Sequence, residues 1–181
     1  MPDSPSQPPQ QSSTQPYGRG MLIMAWLVAL GLLTLFFNRW EENRNNPNQS
    51  PNASENNGIR EVILEGNRRH HYLANGHING KPVTFLLDTG ATDVVIPGDL
   101  ARELKLKSGA KGYAQTANGV VEIMATRLDK LTLGNIHLKN VRASSNPAMQ
   151  DQAILLGMSA LKQVEFTQRN GQLILRQYTS D

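Results

Sequence analysis

The chain has 181 residues, a formal net charge of +3 and no cysteine. That length holds one ordinary domain of about 100–150 residues with appendages. The lack of cysteine excludes disulfides, thiolate nucleophiles and cysteine-ligated zinc. The small, scattered charge excludes the basic stripe that a nucleic-acid partner would require.

Residues 1–20, MPDSPSQPPQQSSTQPYGRG, are rich in Pro, Gln and Ser and nearly free of large apolar side chains. Such a segment buries too little surface to offset the entropy of ordering, so a disordered tail is expected. Met21–Phe37, MLIMAWLVALGLLTLFF, carries no charge. As a helix rising ~1.5 Å per residue it covers roughly 25 Å, the short end of a membrane span. Tyr17 and Arg19 flank one end and Arg39 and Trp40 the other, as interfacial anchors do. A cleaved signal peptide or a buried core helix shares this apolar character. The leader here is long and weakly charged, however, and bulky Phe36-Phe37-Asn38-Arg39-Trp40 stands where a cleavage site needs small residues. A retained single-pass transmembrane anchor is therefore expected over 21–37. Basic residues on both flanks give the positive-inside rule no preferred orientation. Residues 38–58 contain NRNNPNQSPNASENNG and read as a flexible tether.

Over 59–181 the pattern changes to short β-rich runs separated by turn dipeptides. HYLANGHI and KPVTFLLD flank Asn79-Gly80, and YAQT and VVEIMAT flank Asn118-Gly119. LDKLTL and IHLKNVRA flank Gly134-Asn135, and VEFTQ and QLILRQ flank Asn170-Gly171. Each is a hairpin signal. Short helices are predicted at Gly98–Leu104 and Gly157–Gln163. The expectation is an all-β barrel or sandwich with one or two short helices, preceded by the transmembrane helix.

One residue breaks the apolar pattern. In VTFLLDTGATDVVIP, Asp88 sits between an apolar strand and the turn Thr89-Gly90-Ala91. A lone carboxylate there is costly unless it is hydrogen-bonded or neutralised. Thr89 supplies a hydroxyl, and Gly90 lets the backbone N–H groups come close. A capped structural aspartate is the bland reading of this tripeptide.

LLDTGAT followed by VVIP resembles the active-site signature of aspartic proteases. AILLGMSAL, Ala153 to Leu161, resembles their second hallmark, and YAQTANGVVEI lies where the family carries its flap hairpin. The resemblance spans most of Tyr72 to Gln177 and is closest to the retropepsin-like group, its bacterial membrane-anchored members in particular. It implies a closed retropepsin-like barrel with a flap. It also implies a dyad of carboxylates that share one proton and activate a water, a system the aspartic proteases exemplify. The chain holds no second Asp-Thr/Ser-Gly. The second carboxylate must then come from a second copy, with two Asp88 side chains meeting on a two-fold axis.

By the same resemblance Asp88 is catalytic, and Thr89, Gly90 and Ala91 support the active-site loop. Ala117, Asn118 and Gly119 form the flap tip over a peptide, and Leu155, Leu156 and Gly157 pack beneath the loop. Alanine at position 91, where pepsin-like relatives often carry serine, removes a donor to the ionised dyad and points to a mildly acid optimum. Thr92, followed by Asp93, and Met158 depart from the retroviral pattern, which places a substrate-holding aspartate at position 92 and an arginine at position 158. No metal or organic cofactor is implied. The implied function is a membrane-anchored, homodimeric aspartic endopeptidase acting on a peptide or protein substrate, its domain periplasmic at a bacterial inner membrane. A catalytically inactive, dimeric peptide-binding module or adaptor of the same fold is the alternative.

His70-His71 beside Arg68-Arg69 is a poor chelating pair, because adjacent strand residues point to opposite faces. Asn48-Gln49-Ser50 and Asn52-Ala53-Ser54 fit the glycosylation tripeptide, a pattern too short to carry a function here.

Overall fold

The computed structural model describes residues 17–116 and 119–178. Most of the expected disordered tail, residues 1–16, lies outside these, as do the predicted flap residues Ala117 and Asn118. The chain divides into two compact units, Met1–Trp40 and Glu41–Asp181.

Helix α1, Tyr17–Asn45, extends past the apolar 21–37 stretch at both ends. Its large apolar side chains, from Met21 to Trp40, are exposed. By length and composition the helix can cross a membrane; its 29 residues span roughly 44 Å at helical rise. A signal sequence near an N-terminus has the same character. Phe36, Phe37 and Trp40 stack edge to face along one side, with centroids 5.8 and 6.0 Å apart.

The second unit is a closed barrel with a small sheet beside it. In chain order the strands are β1 Asn52–Asn56, β2 Ile59–Glu65, β3 Leu73–Ile78, β4 Lys81–Leu87 and β5 Val94–Pro97. Helix α2, Gly98–Glu103, precedes β6 Lys111–Thr116, β7 Gly119–Leu133, β8 Ile136–Asn146 and β9 Ile154–Leu156. Helix α3, Met158–Leu161, precedes β10 Glu165–Arg169 and β11 Gln172–Tyr178. The larger sheet runs β3-β4-β9-β5-β8-β7-β6, and β3 also pairs with β7. That extra pairing, His77↔Thr132 and Ile78↔Leu131, closes a ring of six strands and leaves β6 outside it. Phe85, Ile78, Ile96, Leu128, Leu131 and Ile154 are fully buried in the core. The resulting architecture is all-β, with two short helices, as the sequence predicts.

The tight turns follow from their residues. Asn57-Gly58, Asn79-Gly80 and Asn170-Gly171 all have positive φ at both positions. That geometry suits a two-residue hairpin turn, and Asn and Gly adopt it at least cost. β7 and β8 turn at Gly134, φ +56, where a Cβ would meet Val62 Cγ2 at 2.8 Å. This close approach seats the turn against the smaller sheet, β1-β2-β11-β10, whose inner face buries Val62, Leu64, Leu173 and Leu175. Gln177 joins the two sheets by accepting from the His137 N–H (3.1 Å) and donating to the His137 carbonyl (2.7 Å).

The segment 38–58, expected as a spacer, holds ordered structure in its second half. Asn48 is buried, and its side chain acts as a surrogate strand end. Its Nδ2 donates to the carbonyls of Glu65 (2.9 Å) and Leu73 (2.6 Å), and its Oδ1 accepts from the Glu65 N–H (2.8 Å). The Asn48 carbonyl accepts from the Asn75 N–H (3.1 Å), and Asn46 donates to Asn75 Oδ1 (2.8 Å). Asn52–Asn56 then adds to β2 as an edge strand. Polar side chains satisfy backbone groups here, so no apolar periodicity announces the docking.

Two predictions arise from this region. Asn48→Ala strands several buried groups and is expected to lower stability by about 1–3 kcal/mol in urea unfolding of the full-length protein in detergent. Burial, helped by Lys130 and Arg60, holds the His137 imidazole pKa below its usual value. The unfolded chain then takes up a proton before the folded one. Stability should fall as pH drops below the unfolded value of about 6.5 and through the lowered folded value. His137→Gln should flatten that slope, as read by unfolding midpoints at a series of pH values.

Candidate active site

Asp88 is placed by the pairing of two short apolar strands. β4 and β9 run parallel, with Phe85↔Ile154, Leu86↔Leu155 and Leu87↔Leu156 in register. The ladder ends where the Asp88 N–H donates to the Leu156 carbonyl at 3.2 Å. Beyond this bond the chain leaves the sheet, and the Asp88 side chain is half-buried at the barrel's rim. Its Oδ1 accepts from the Gly90 N–H at 2.9 Å, and its carbonyl accepts from the Ala91 N–H at 3.2 Å. Gly90 is not among the glycines in the left-handed region; what it contributes is a donor and a close approach, since a Cβ there would lie 3.1 Å from Asp88 Oδ1.

The loop is held from behind by α3. The carbonyls of Ala91 and Thr92 accept from the N–H groups of Met158 (2.8 Å) and Ser159 (2.9 Å). Two donors that a helix start normally leaves unpaired are thereby satisfied by the loop itself. Gly157 permits this contact: a Cβ there would lie 2.2 Å from the Asp93 carbonyl oxygen and 2.6 Å from that of Ala91. Ser159, buried, accepts from the Val94 N–H (3.0 Å) and donates to the Arg142 carbonyl (2.7 Å), tying β5 to β8 behind the loop. Arg142 Nε donates to Asp93 Oδ1 at 2.6 Å. Sequence reasoning missed Ser159 and Arg142. Ser159 lies two residues beyond the hallmark glycine, while the Arg142 contact crosses 49 residues and left no local trace.

A cavity of about 250 Å³ opens beside Asp88 and Thr89. Tyr72, Leu87, Leu161, Phe166 and Leu173 give it apolar walls, and among the described residues that line it Asp88 is the one carboxylate. Thr89 is exposed. Among the described residues no group of three or more acidic, His or Cys side chains is placed to hold a metal. The pair His70-His71 sits in a turn organised by Asn67, whose Oδ1 accepts from the N–H groups of Arg69 and His71.

The structure therefore gathers Asp88, Thr89, Gly90, Ala91, Leu155, Leu156 and Gly157 into one substructure. Of the predicted flap residues, Ala117 and Asn118 lie outside the described residues. Gly119, φ +105, opens β7 opposite Thr116. The hairpin β6–β7 stands clear of the barrel, with Tyr113 77% and Val120 65% exposed.

This geometry has counterparts. Residues 74–163 match the family model described as "gag-polyprotein putative aspartyl protease". The structure is also similar to that of a retropepsin-like aspartic protease from Rickettsia conorii, with a TM-score of 0.56 and 24% identity, covering 72% of this chain and 96% of that one. The folded domain is retropepsin-like. An uncharacterized protein in the cobV 5′ region of a Sinorhizobium species is 28% identical over 174 residues, 88% of this chain and 75% of that protein. The uncharacterized protein RP867 of Rickettsia prowazekii (strain Madrid E) is 25% identical over 123 residues, 66% of this chain and 52% of that protein. The chain thus spans about half the length of this second relative. The matched stretch in the retropepsin-like domain begins at Ala74 in β3 and ends just past α3, so it takes in the Asp88 loop, the hairpin and Gly157.

Gly157→Ala drives a methyl into two backbone oxygens. It is expected to destabilise the domain by roughly 2 kcal/mol or more, among the larger single-residue effects. Ser159→Ala leaves the Val94 N–H and the Arg142 carbonyl without their partner and should cost about 1–3 kcal/mol. Urea unfolding of both variants beside the parent checks the pair.

Proposed function

We propose that the protein is a membrane-anchored aspartic endopeptidase, held through Met21–Phe37 and active as a homodimer in which two Asp88 carboxylates activate one water. The observation that carries this reading is the Asp88 loop: a carboxylate fixed by the Gly90 N–H, clasped from behind by α3, and facing a mostly apolar cavity with no second acid among its described lining residues. One carboxylate cannot serve as base and acid at once, so the reaction needs the Asp88 of a second copy.

The chemistry then divides between the two. The ionised Asp88 takes a proton from water as the water oxygen attacks the scissile carbonyl carbon. The protonated Asp88 of the other copy donates to the carbonyl oxygen. Collapse of the tetrahedral diol transfers a proton to the amide nitrogen and breaks the C–N bond. One proton again remains shared by the pair. Thr89 is exposed beside the carboxylate, and on this reading it would brace the pair across the two-fold axis. The β6–β7 hairpin would close over the peptide and exclude bulk water. We place the domain on the periplasmic side of a bacterial inner membrane. A single engineered cysteine, in a chain that has none, tests that side by its labelling with a membrane-impermeant maleimide in intact cells.

The full-length protein in detergent should cleave a peptide library best at mildly acid pH. Asp88→Asn should lower kcat at least a thousandfold, as expected when a group essential to the chemistry is lost (on the order of 10³–10⁶). A statine-type inhibitor should block what the substitution abolishes. A dimer by ultracentrifugation that binds peptides and cuts none would replace the enzyme with a binding module. A maximum near pH 2 would contradict the role given to Ala91.

A further inference from the structure

At the root of the β6–β7 hairpin the surface folds into a recess of about 530 Å³. Among the described residues four cationic side chains line it, Lys105, Lys107, Arg127 and Arg142, against one carboxylate, Asp129. The pairing of the strands does not favour this grouping. Arg127 and Arg142 are directly opposite each other on β7 and β8, where like charges weaken the pairing. Lys105 is held at φ +57, a backbone region that residues other than glycine, asparagine and aspartate adopt rarely.

The charges sit on fixed backbone. The Leu106 N–H donates to the Ala101 carbonyl (3.0 Å), Thr126 Oγ1 to the Lys107 carbonyl (2.7 Å) and the Gly109 N–H to the Ala125 carbonyl (2.7 Å). Each guanidinium is also oriented by one bond and keeps other N–H groups for a ligand. Arg127 Nη1 donates to the Asn140 carbonyl at 2.9 Å, and Arg142, its side chain 57% exposed, donates through Nε to Asp93. Asp93 belongs to the same loop as Asp88, five residues further on. Arg142 thus reaches from the recess to the active-site loop, while Gly109 and Ala125 place the recess at the base of the hairpin.

We infer that this recess is a subsite for acidic side chains, receiving Glu or Asp of the substrate several residues from the scissile bond. It makes acidic segments the preferred substrate class, and it rests on the endopeptidase reading above. The link to the cleft is Arg142, which lines the recess and bonds Asp93 of the Asp88 loop, and on this reading the outer part of a bound peptide would run toward it. Planar guanidinium groups bind carboxylates with two parallel N–H bonds, which suits side chains entering a recess.

The test uses the full-length protein in detergent and paired peptides that share the residues around the cut and differ only in carrying Glu or Gln at the outer positions. The Glu peptides should show kcat/KM about threefold to tenfold higher. That advantage should shrink in about 1 M salt, where screening shortens to ~3 Å. In the double variant Lys107→Glu/Arg127→Glu the ratio should fall to one or below; Lys162→Glu, a single charge reversal outside the recess, should keep it. Lys107→Gln/Arg127→Gln replaces the reversal if circular dichroism shows a disturbed fold.

Equal rates on Glu and Gln peptides in an active protein would overturn the subsite and leave the endopeptidase intact. If the protein cuts nothing, anisotropy of a labelled hepta-glutamate peptide decides independently: binding weakened by the double variant sustains the recess. Failure to bind that peptide, or binding of phosphatidylglycerol vesicles through these side chains in its place, would overturn it.

Discussion

The geometry around Asp88 depends on the missing side chain at Gly157. Two carbonyl oxygens, of Ala91 and Asp93, occupy the space a Cβ would need. Because they come so near, the N–H groups that begin α3 reach the loop carbonyls, and the loop needs no water to satisfy them. The same contact brings Ser159 within reach of both β5 and β8. The loop is therefore held by backbone groups of a neighbouring element, a firmer support than mobile side chains would give. Such support lets a half-buried carboxylate keep one orientation at the rim of the barrel.

How much of this could be read from the residues varied with the kind of signal. Asn79-Gly80, Gly134-Asn135 and Asn170-Gly171 announced their hairpins because few other residues tolerate the required φ. Asn57-Gly58 carries the same signal and went unused, because the Asn-rich surroundings read as a spacer. Asn48 offered no pattern at all: its contacts are hydrogen bonds to Glu65 and Leu73, residues chosen by the fold rather than by spacing. At the candidate site, the Asp88 loop and the Leu155-Leu156-Gly157 run were legible as motifs. The Asp93–Arg142 pair, across 49 residues, was not. The sequence pattern flagged Thr92, the residue before Asp93, as a departure from the retroviral pattern; the partner of Asp93 comes from β8.

A chain with one carboxylate at its site ties chemistry to encounter. On the proposed reading activity rises with the square of dilute protomer concentration, and confinement to a membrane surface raises that concentration without any new contact. The exposed Thr89 and the cavity beside Asp88 would then belong to an interface as much as to a cleft. On that reading, local abundance would control activity.

The docking of Asn48 has a consequence for how the domain could ever be shed from an anchor. Because this residue completes the ends of β2 and β3, a cut on its C-terminal side removes part of the fold itself. Only a cut upstream of Asn46, which bonds to Asn75, leaves the released body whole. A soluble form that survives in solution should therefore begin with a polar stub ahead of Asn46, and one beginning at Ile59 should be prone to unfold.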